Sequence, residues 1–278
     1  MDQYDAVAAR TAQLVTNSYS SSFGLATRLF PLKIRADIYN IYGLVRLADE
    51  IVDTYKGADA REQLDALERE VAKALKCHYS TNLIVHAFQL TASKYSIGDD
   101  LIAPFFYSMR LDTTPQLYTR ALYDRYIVGS AEAVGLMCLK VFASSKAEYT
   151  HLEPGARALG AAFQKVNFLR DLAADQSELK RFYFPNTSFK AFDDVVKADI
   201  IADIEADFAI AKTAIPQLPA SSRAAVSAAY TYYFRLLWKL KAASAADLLK
   251  KRVRINNAVK LGLLGKTVVR AKLSRGKA

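Results

Sequence analysis

The 278-residue sequence predicts a single all-α domain. Long stretches of helix-forming residues are interrupted by only eleven glycines and seven prolines, and almost no stretch alternates polar with apolar residues. Hydrophobic residues make up 52% of the chain, which is enough for a substantial core, and no linker rich in Gly, Pro or Ser divides it. We therefore expect one helical bundle over residues 1–278.

The helices can be placed in order from their capping residues. Pro31 opens a helix to about residue 55, and Asp59 caps a second over about 60–75. Thr113-Thr114-Pro115 and Glu153-Pro154 each read as a cap followed by a first-turn proline. They predict helices over about 115–142 and 154–175. After a break over 176–187, two further helices are predicted over about 189–214 and 221–249.

The charge is concentrated at the C-terminal end. The net charge is +10, and residues 241–278 contain eleven Lys or Arg and one acid, so residues 1–240 are formally neutral. An anionic partner should therefore meet the basic segment at about 250–278. Nucleic acid is not expected as that partner, because no reading helix or aromatic platform accompanies the charge.

The sequence also predicts the cellular location of the protein. The first residues are acidic where a secretory signal needs bases, and no apolar run is long enough to span a bilayer. Cys77 and Cys138 form no disulfide framework, and the three histidines have no metal-ligand spacing. These features favour a cytoplasmic protein.

The helix after Pro31 carries a polar stripe. Tyr42, Arg46, Asp49 and Asp53 lie at offsets of 0, 4, 7 and 11, which places them on one face. Two carboxylates four residues apart suit Mg²⁺ that is shared with phosphate oxygens, although a solvated helix face would show the same pattern.

A second stripe repeats this arrangement. Gln164, Asn167, Asp171 and Asp175 lie at offsets of 0, 3, 7 and 11, and three alanines over residues 158–162 leave space beside them. We expect the two stripes to face each other across a central cavity, with metal ions between them.

Several stretches together carry a resemblance to a known family. They are residues 20–23 (SSSF), 46–53 (RLADEIVD), 164–175 (QKVNFLRDLAAD) and 181–185 (RFYFP). Their order and spacing resemble the signatures of the squalene and phytoene synthase family, and residues 252–255 (RVRI) with Lys260 resemble its last basic motif. The resemblance implies an isoprenoid synthase fold, Mg²⁺ as cofactor and head-to-head condensation of two prenyl diphosphates.

The resemblance also implies residue roles. The implied metal ligands are Asp49, Asp53, Asn167, Asp171 and Asp175. The implied catalytic residues are those four aspartates and Tyr183, which could close over the site as a lid. The implied substrate-binding residues are Ser20, Ser22, Phe23, Tyr42, Arg46, Gln164, Asn167, Arg181, Arg252 and Lys260. Ser20 and Ser22 are equally explained as a helix-end cap. Three Mg²⁺ ions are expected with substrate bound, with Mn²⁺ as an alternative.

Some positions have two interpretations. Glu132 stands where the family commonly has glycine, and it is either an additional acid in the pocket or the partner of a basic neighbour. Phe23, Tyr39, Tyr42 and Tyr126 could stabilise a carbocation through their ring faces, or they could pack in the core.

The expected product is phytoene, from two geranylgeranyl diphosphates through a cyclopropyl diphosphate. The alternatives are dehydrosqualene or squalene from two farnesyl diphosphates, with NADPH needed only for squalene, and a non-catalytic scaffold. Residues 255–273 mix apolar and basic side chains, so we expect peripheral association with an anionic membrane surface, on its inner face. The oligomeric state and the prenyl chain length stay open.

Overall fold

The computed structural model describes residues 2–19, 24, 26–55, 57–114 and 116–256, and these contain helices and no strand. The all-α prediction is therefore confirmed for the described residues. The helices are α1 (Gln3–Tyr19), α2 (Leu32–Asp49), α3 (Ala60–Cys77), α4 (Leu83–Tyr95), α5 (Asp99–Leu111), α6 (Arg120–Ile127), α7 (Ala133–Phe142), α8 (Lys146–Ala174), α9 (Asp194–Ala214), α10 (Ala220–Ala242) and α11 (Ala245–Leu248). Among the described residues no helix is long and apolar enough to cross a membrane.

Two of the predicted helix starts are wrong. Thr119, and not Thr114, opens α6, and its Oγ1 accepts a hydrogen bond from Leu122 N (3.2 Å). Ser145 opens α8 in the same way, so Pro154 lies inside the helix. An internal proline removes one backbone hydrogen bond. The long buried face of α8 offsets that loss and keeps the helix continuous.

Other boundaries also differ from the prediction. The helix predicted from residue 189 begins at Asp194, where Asp193 accepts from two backbone amides. The helix predicted over 221–249 ends at Ala242, and Ser244 caps α11. Helices α1, α4 and α5 were not predicted, whereas the ends near Thr54, Phe142 and Ala214 agree with the sequence interpretation.

The described core has two large apolar clusters and a small one between α1 and α4, and each polar stripe belongs to a different large cluster. Residues of α2 to α5 and α7 form the first, with Leu44, Phe88 and Phe105 buried at its centre. Residues of α6 and α8 to α11 form the second, around Phe208 and Leu236. Helix α8 packs against α7 and α9, so it bridges the two clusters and stands across from α2.

Glycine allows the close approach of α8 to its neighbours. A Cβ on Gly160 would lie 2.6 Å from Ala131 O, and one on Gly135 would lie 2.9 Å from Ala156 O. Because both distances are shorter than van der Waals contact, larger residues at these positions would push the helices apart.

Candidate active site

The structure brings the two acidic stripes together at the C-terminal ends of α2 and α8. Arg181, which follows the second stripe, donates from Nη1 to Asp53 Oδ1 (2.6 Å) and from Nη2 to Val52 O (2.5 Å) on the first. The charge of Asp53 also raises the pKa of Asp175, which shows that the carboxylates face each other. The predicted pairing of the stripes is therefore present in the fold.

Each stripe ends on a π-helical turn. Asp53 lies in the turn Glu50–Thr54, and Asp175 begins the turn Asp175–Leu179. A π turn inserts one residue into the helical repeat, which redirects the side chains that follow, and such turns occur often at functional sites. The local widening thus sets the direction of the last carboxylate of each stripe.

Arginines pair with three of the four aspartates. Arg46 forms ion pairs with Asp49 and Glu50, and it stacks on the Tyr19 ring at 4.4 Å. Arg181 pairs with Asp53. These contacts hold the first stripe in place while its carboxylates remain close together.

Asp171 has two arginine partners. Arg170 Nε donates to Asp171 Oδ1 (2.8 Å), and Arg252 Nε lies 2.6 Å from the same oxygen. The first basic residue of the C-terminal motif therefore reaches the acidic site directly. Arg252 meets a carboxylate here, and its expected contact with substrate stays a prediction.

Two of the aspartates have raised pKa values. Burial, followed by repulsion from Asp171 and Asp53, raises the pKa of Asp175 to about 8. Burial and the charge of Asp53 raise the pKa of Asp49 to about 6, and its side chain is 37% exposed, so water screens part of this effect. The site therefore has a local deficit of positive charge.

The side chains around this deficit have the chemistry that Mg²⁺ requires. Asn167 Oδ1 is buried and has no hydrogen-bond partner within the described residues, so it is available as a neutral oxygen ligand. Within the same residues, no three Asp, Glu, His or Cys side chains gather closely enough to hold a metal by themselves. Mg²⁺ is commonly bound by one or two carboxylates together with substrate phosphates, so this arrangement fits an ion completed by a ligand.

An apolar cavity of about 280 Å³ begins beside the acidic site. Tyr42 and Gln164, the first residues of the two stripes, line its polar end. From Gln164 the cavity follows α8 back to Leu152, a distance of about 18 Å at the helical rise. The cavity therefore lies next to the acidic site along α8, although the four aspartates are not among the residues that line it.

A buried carboxylate, Asp112, lies next to the site and was missed by the sequence interpretation. It accepts hydrogen bonds from Tyr126 Oη (2.6 Å) and Tyr183 Oη (2.9 Å), and Arg181 Nη1 is 4.0 Å away. Burial raises its pKa to about 7. No motif marks Asp112, because it lies at the end of α5 and meets its partners only in the fold.

Most of the chain matches a known protein family. The model of the squalene/phytoene synthase family matches residues 16–258. The chain belongs to the squalene/phytoene synthase family. The members of this family are prenyltransferases. The resemblance read from the motifs is therefore confirmed.

The curated relatives are distant in sequence. A bifunctional lycopene cyclase/phytoene synthase of Pyrenophora tritici-repentis is 26% identical over 78% of this chain and 43% of its own length. A 4,4'-diapophytoene synthase of Staphylococcus haemolyticus is 26% identical over 68% of this chain and 67% of its own, and a phytoene synthase of Arthrospira platensis is 27% identical over 67% and 63%. The match thus spans less than half of the fungal protein.

Solved structures support the isoprenoid synthase fold. A dehydrosqualene synthase in complex with ligand superposes with a TM-score of 0.81 at 19% identity, covering 97% of this chain and 98% of that one. A squalene synthase from Alicyclobacillus acidocaldarius gives a TM-score of 0.76 at 18% identity, covering 87% and 96%.

The structure places the remaining residues considered from the sequence in different environments. Tyr183 is not a surface lid, because it is buried and its ring stacks on Phe168 at 3.9 Å. Glu132 accepts from Arg157 Nη1 (3.0 Å), which agrees with pairing to a basic neighbour. Tyr39 is buried and does not line the cavity, so core packing explains it. Ser20, Ser22, Phe23 and Lys260 lie outside the described residues, as does most of the segment 255–273.

Proposed function

We propose that this protein condenses two prenyl diphosphates head to head, and that its substrates are two geranylgeranyl diphosphates, which give phytoene. One observation carries the proposal: the two facing carboxylate stripes begin at Tyr42 and Gln164, and both of these residues line a long apolar cavity. The charged end suits the diphosphates and the apolar end suits a prenyl chain. Diphosphate is released at each of two ionisation steps, with a cyclopropyl diphosphate between them, and each resulting cation loses one proton, so two diphosphates and two protons leave per phytoene.

Charge balance explains why arginines surround the acidic site. Two prenyl diphosphates carry about six negative charges and the four aspartates carry four more, whereas three Mg²⁺ ions supply six positive ones. Arg46, Arg181 and Arg252 stand at the site and can supply part of the difference. Their guanidinium groups match phosphate oxygens in forked pairs, and we propose Lys260 as a further contact.

We propose Mg²⁺ as the cofactor, with Mn²⁺ as a substitute. The residues that would hold it are Asp49, Asp53, Asn167, Asp171 and Asp175. When bound, the metal draws negative charge onto the departing diphosphate and so favours ionisation of the allylic carbon.

The protein side chains exclude water and stabilise the carbocation. The cavity wall is almost entirely apolar, so it keeps water away from a carbocation. Tyr42 and Phe163 line this wall near the charged end, where a ring face can stabilise positive charge. Outside the cavity lining, Asp112 accepts hydrogen bonds from Tyr126 and Tyr183 and fixes both rings. Tyr183 therefore acts by holding Asp112 beside Arg181.

A second product class has a specific observation in its favour. One curated relative is a 4,4'-diapophytoene synthase, and the described fold superposes well on a dehydrosqualene synthase. Farnesyl diphosphate is therefore the alternative substrate, and NADPH would be required only if squalene were the product. We favour geranylgeranyl diphosphate because two other relatives carry phytoene synthase activity in their names.

Product analysis tests the proposal. The purified full-length protein is incubated with Mg²⁺ and either geranylgeranyl or farnesyl diphosphate, with and without NADPH, and the hydrocarbon is identified by mass. We expect a forty-carbon product from geranylgeranyl diphosphate, without NADPH. A thirty-carbon product made faster from farnesyl diphosphate would overturn the substrate assignment. If neither substrate reacts, and an Asp171→Ala variant binds both equally well, the protein is a scaffold.

A further inference from the structure

The described part of the chain has a tryptophan on its surface beside the basic C-terminal segment. Trp238 is the only tryptophan of the protein, and it is 65% exposed on α10. Its neighbours Leu236, Leu237 and Leu240 are buried, so the helix itself is firmly packed. A large aromatic side chain thus points away from a well-fixed helix into solvent.

Trp238 lies on a defined face of α10. Thr231, Arg235, Trp238, Lys239 and Ala242 are all exposed and lie at offsets of 0, 4, 7, 8 and 11, which is one side of the helix. We call this set the Trp238 face. Helix α10 contains no Asp or Glu along its whole length.

The final described segment extends this face. Lys239 Nζ donates to Arg254 O (2.9 Å), so residues 252–256 run alongside the helix. Among the described residues, no carboxylate forms an ion pair with Arg235, Lys239 or Arg254. The sequence beyond Asn256 adds six Lys or Arg and no acid over residues 257–278. Among the described residues, Arg235, Lys239 and Arg254 therefore supply positive charge beside the tryptophan.

The Trp238 face also adjoins the site. Arg252, two residues before Arg254, reaches Asp171. Tyr232 and Tyr233, on the same helix as Trp238, are close enough to Arg170 to influence its pKa. A partner on this face would therefore stand close to Asp171 and its two arginine partners.

We propose that the Trp238 face, together with Arg254, docks the protein on an anionic lipid surface. Tryptophan favours the boundary between lipid and water because its ring is amphipathic, and basic residues around it attract anionic headgroups. A single aromatic anchor among a few cations gives reversible binding, which weakens as salt screens the charges. The contact does not depend on the proposed reaction, because it uses no residue assigned to the chemistry.

The single tryptophan makes docking directly observable. The full-length protein, without substrate or Mg²⁺, is titrated with vesicles of phosphatidylcholine containing phosphatidylglycerol, and with phosphatidylcholine alone. We expect the emission of Trp238 to move to shorter wavelength with the anionic vesicles at low salt, and lipids with brominated chains to quench it. High salt should reverse the change, and neutral vesicles should cause little. Binding without any change in emission would show that another surface makes the contact, and would overturn the proposal.

Matched variants test the position of the face by vesicle sedimentation. Arg235→Gln with Lys239→Gln should lower the affinity about 25-fold, given about fivefold for each charge near the surface. Arg61→Gln with Lys73→Gln removes the same charge from exposed positions of α3 and should change the affinity less than about twofold. Equal losses in the two pairs would show a diffuse charge effect and overturn the assignment.

Trp238→Ala separates the anchor from the charges. We expect it to reduce sedimentation severalfold, whereas Leu117→Ala, which removes an 81% exposed side chain elsewhere, should not.

Two further results would overturn the proposal that the partner is a lipid surface. One is tighter binding to a DNA duplex than to anionic vesicles at physiological salt, and the other is a protein-concentration-dependent emission shift without lipid, which would indicate a second copy of this chain.

Discussion

Replacing Asp175 by asparagine should stabilise the metal-free protein while it abolishes turnover. The pKa of Asp175 rises from its ordinary value of 3.8 to about 8 in the fold, mainly through burial and then through Asp171 and Asp53. The folded state therefore holds this proton over a pH range in which the unfolded chain has released it. As the pH increases from about 4 to about 8, the free energy of unfolding falls.

The size of the effect follows from this shift. About four pKa units correspond to at most about 5 kcal/mol at pH 8, at 1.36 kcal/mol per unit. Side-chain rotation and entry of water relieve part of this cost, so we expect a gain of about 2 kcal/mol for Asp175→Asn. That gain corresponds to an increase in Tm of roughly 4 °C at pH 8.

Thermal unfolding in the presence of a chelator at pH 5 and pH 8 measures the effect. At pH 5 the difference between variant and wild type should be about a third of that at pH 8, because the unfolded chain has already released its proton above its ordinary pKa of 3.8. Asp199→Asn, at an exposed position of α9, removes the same charge and should change stability by less than about 0.5 kcal/mol at either pH. An equal gain at both pH values, or a loss at pH 8, would refute the electrostatic reasoning.

Other predictions concern the remaining parts of the site. Asp171→Ala should lower turnover at least about a hundredfold and leave the circular dichroism spectrum unchanged, whereas near-normal turnover would remove Asp171 from the mechanism. Lys260→Ala should weaken diphosphate binding in calorimetry more than Lys272→Ala, and equal effects would exclude a specific contact. Tyr183→Phe should cost about 1–2 kcal/mol in urea unfolding, because it removes a donor from a buried carboxylate; no loss would show that the bond is not needed. Gly155→Ala should lower stability by about 1–3 kcal/mol in the same assay, because its Cβ would lie 2.1 Å from Ala214 Cβ, and a neutral result would mean that the helices move apart freely.

The acidic stripes could be read from the sequence because a helix has a fixed period. Offsets of 0 and 7 place Tyr42 with Asp49, and Gln164 with Asp171, on one face of a helix whatever surrounds it. The last carboxylate of each stripe, Asp53 or Asp175, lies in a π turn, so its direction depended on the fold. Capping residues were harder to predict, because several Ser, Thr and Asp residues lie near each helix boundary and only one of them accepts hydrogen bonds from the free backbone amides. Thr119 and Ser145 were missed for this reason.

Asp112 and Tyr183 show what local patterns could not reveal. They are 71 residues apart, and each looks ordinary in its own segment: one follows a helix and the other lies in an irregular stretch. The expectation of a mobile lid came from that irregular stretch. The structure instead buries Tyr183 against Phe168, since the loop folds back onto α8.

The sequence by itself determined the helical class, the two polar stripes, the family motifs and the basic C-terminal end. These features depend on composition and on the period of a single helix, which are local properties of the chain. Only the tertiary structure decided that Arg181 reaches Asp53, that Asp112 lies next to the site and that the apolar cavity follows α8 towards Leu152. The physical reason is that these contacts join segments far apart in the chain, and their distances are fixed by how closely whole helices pack, as at Gly160 against Ala131.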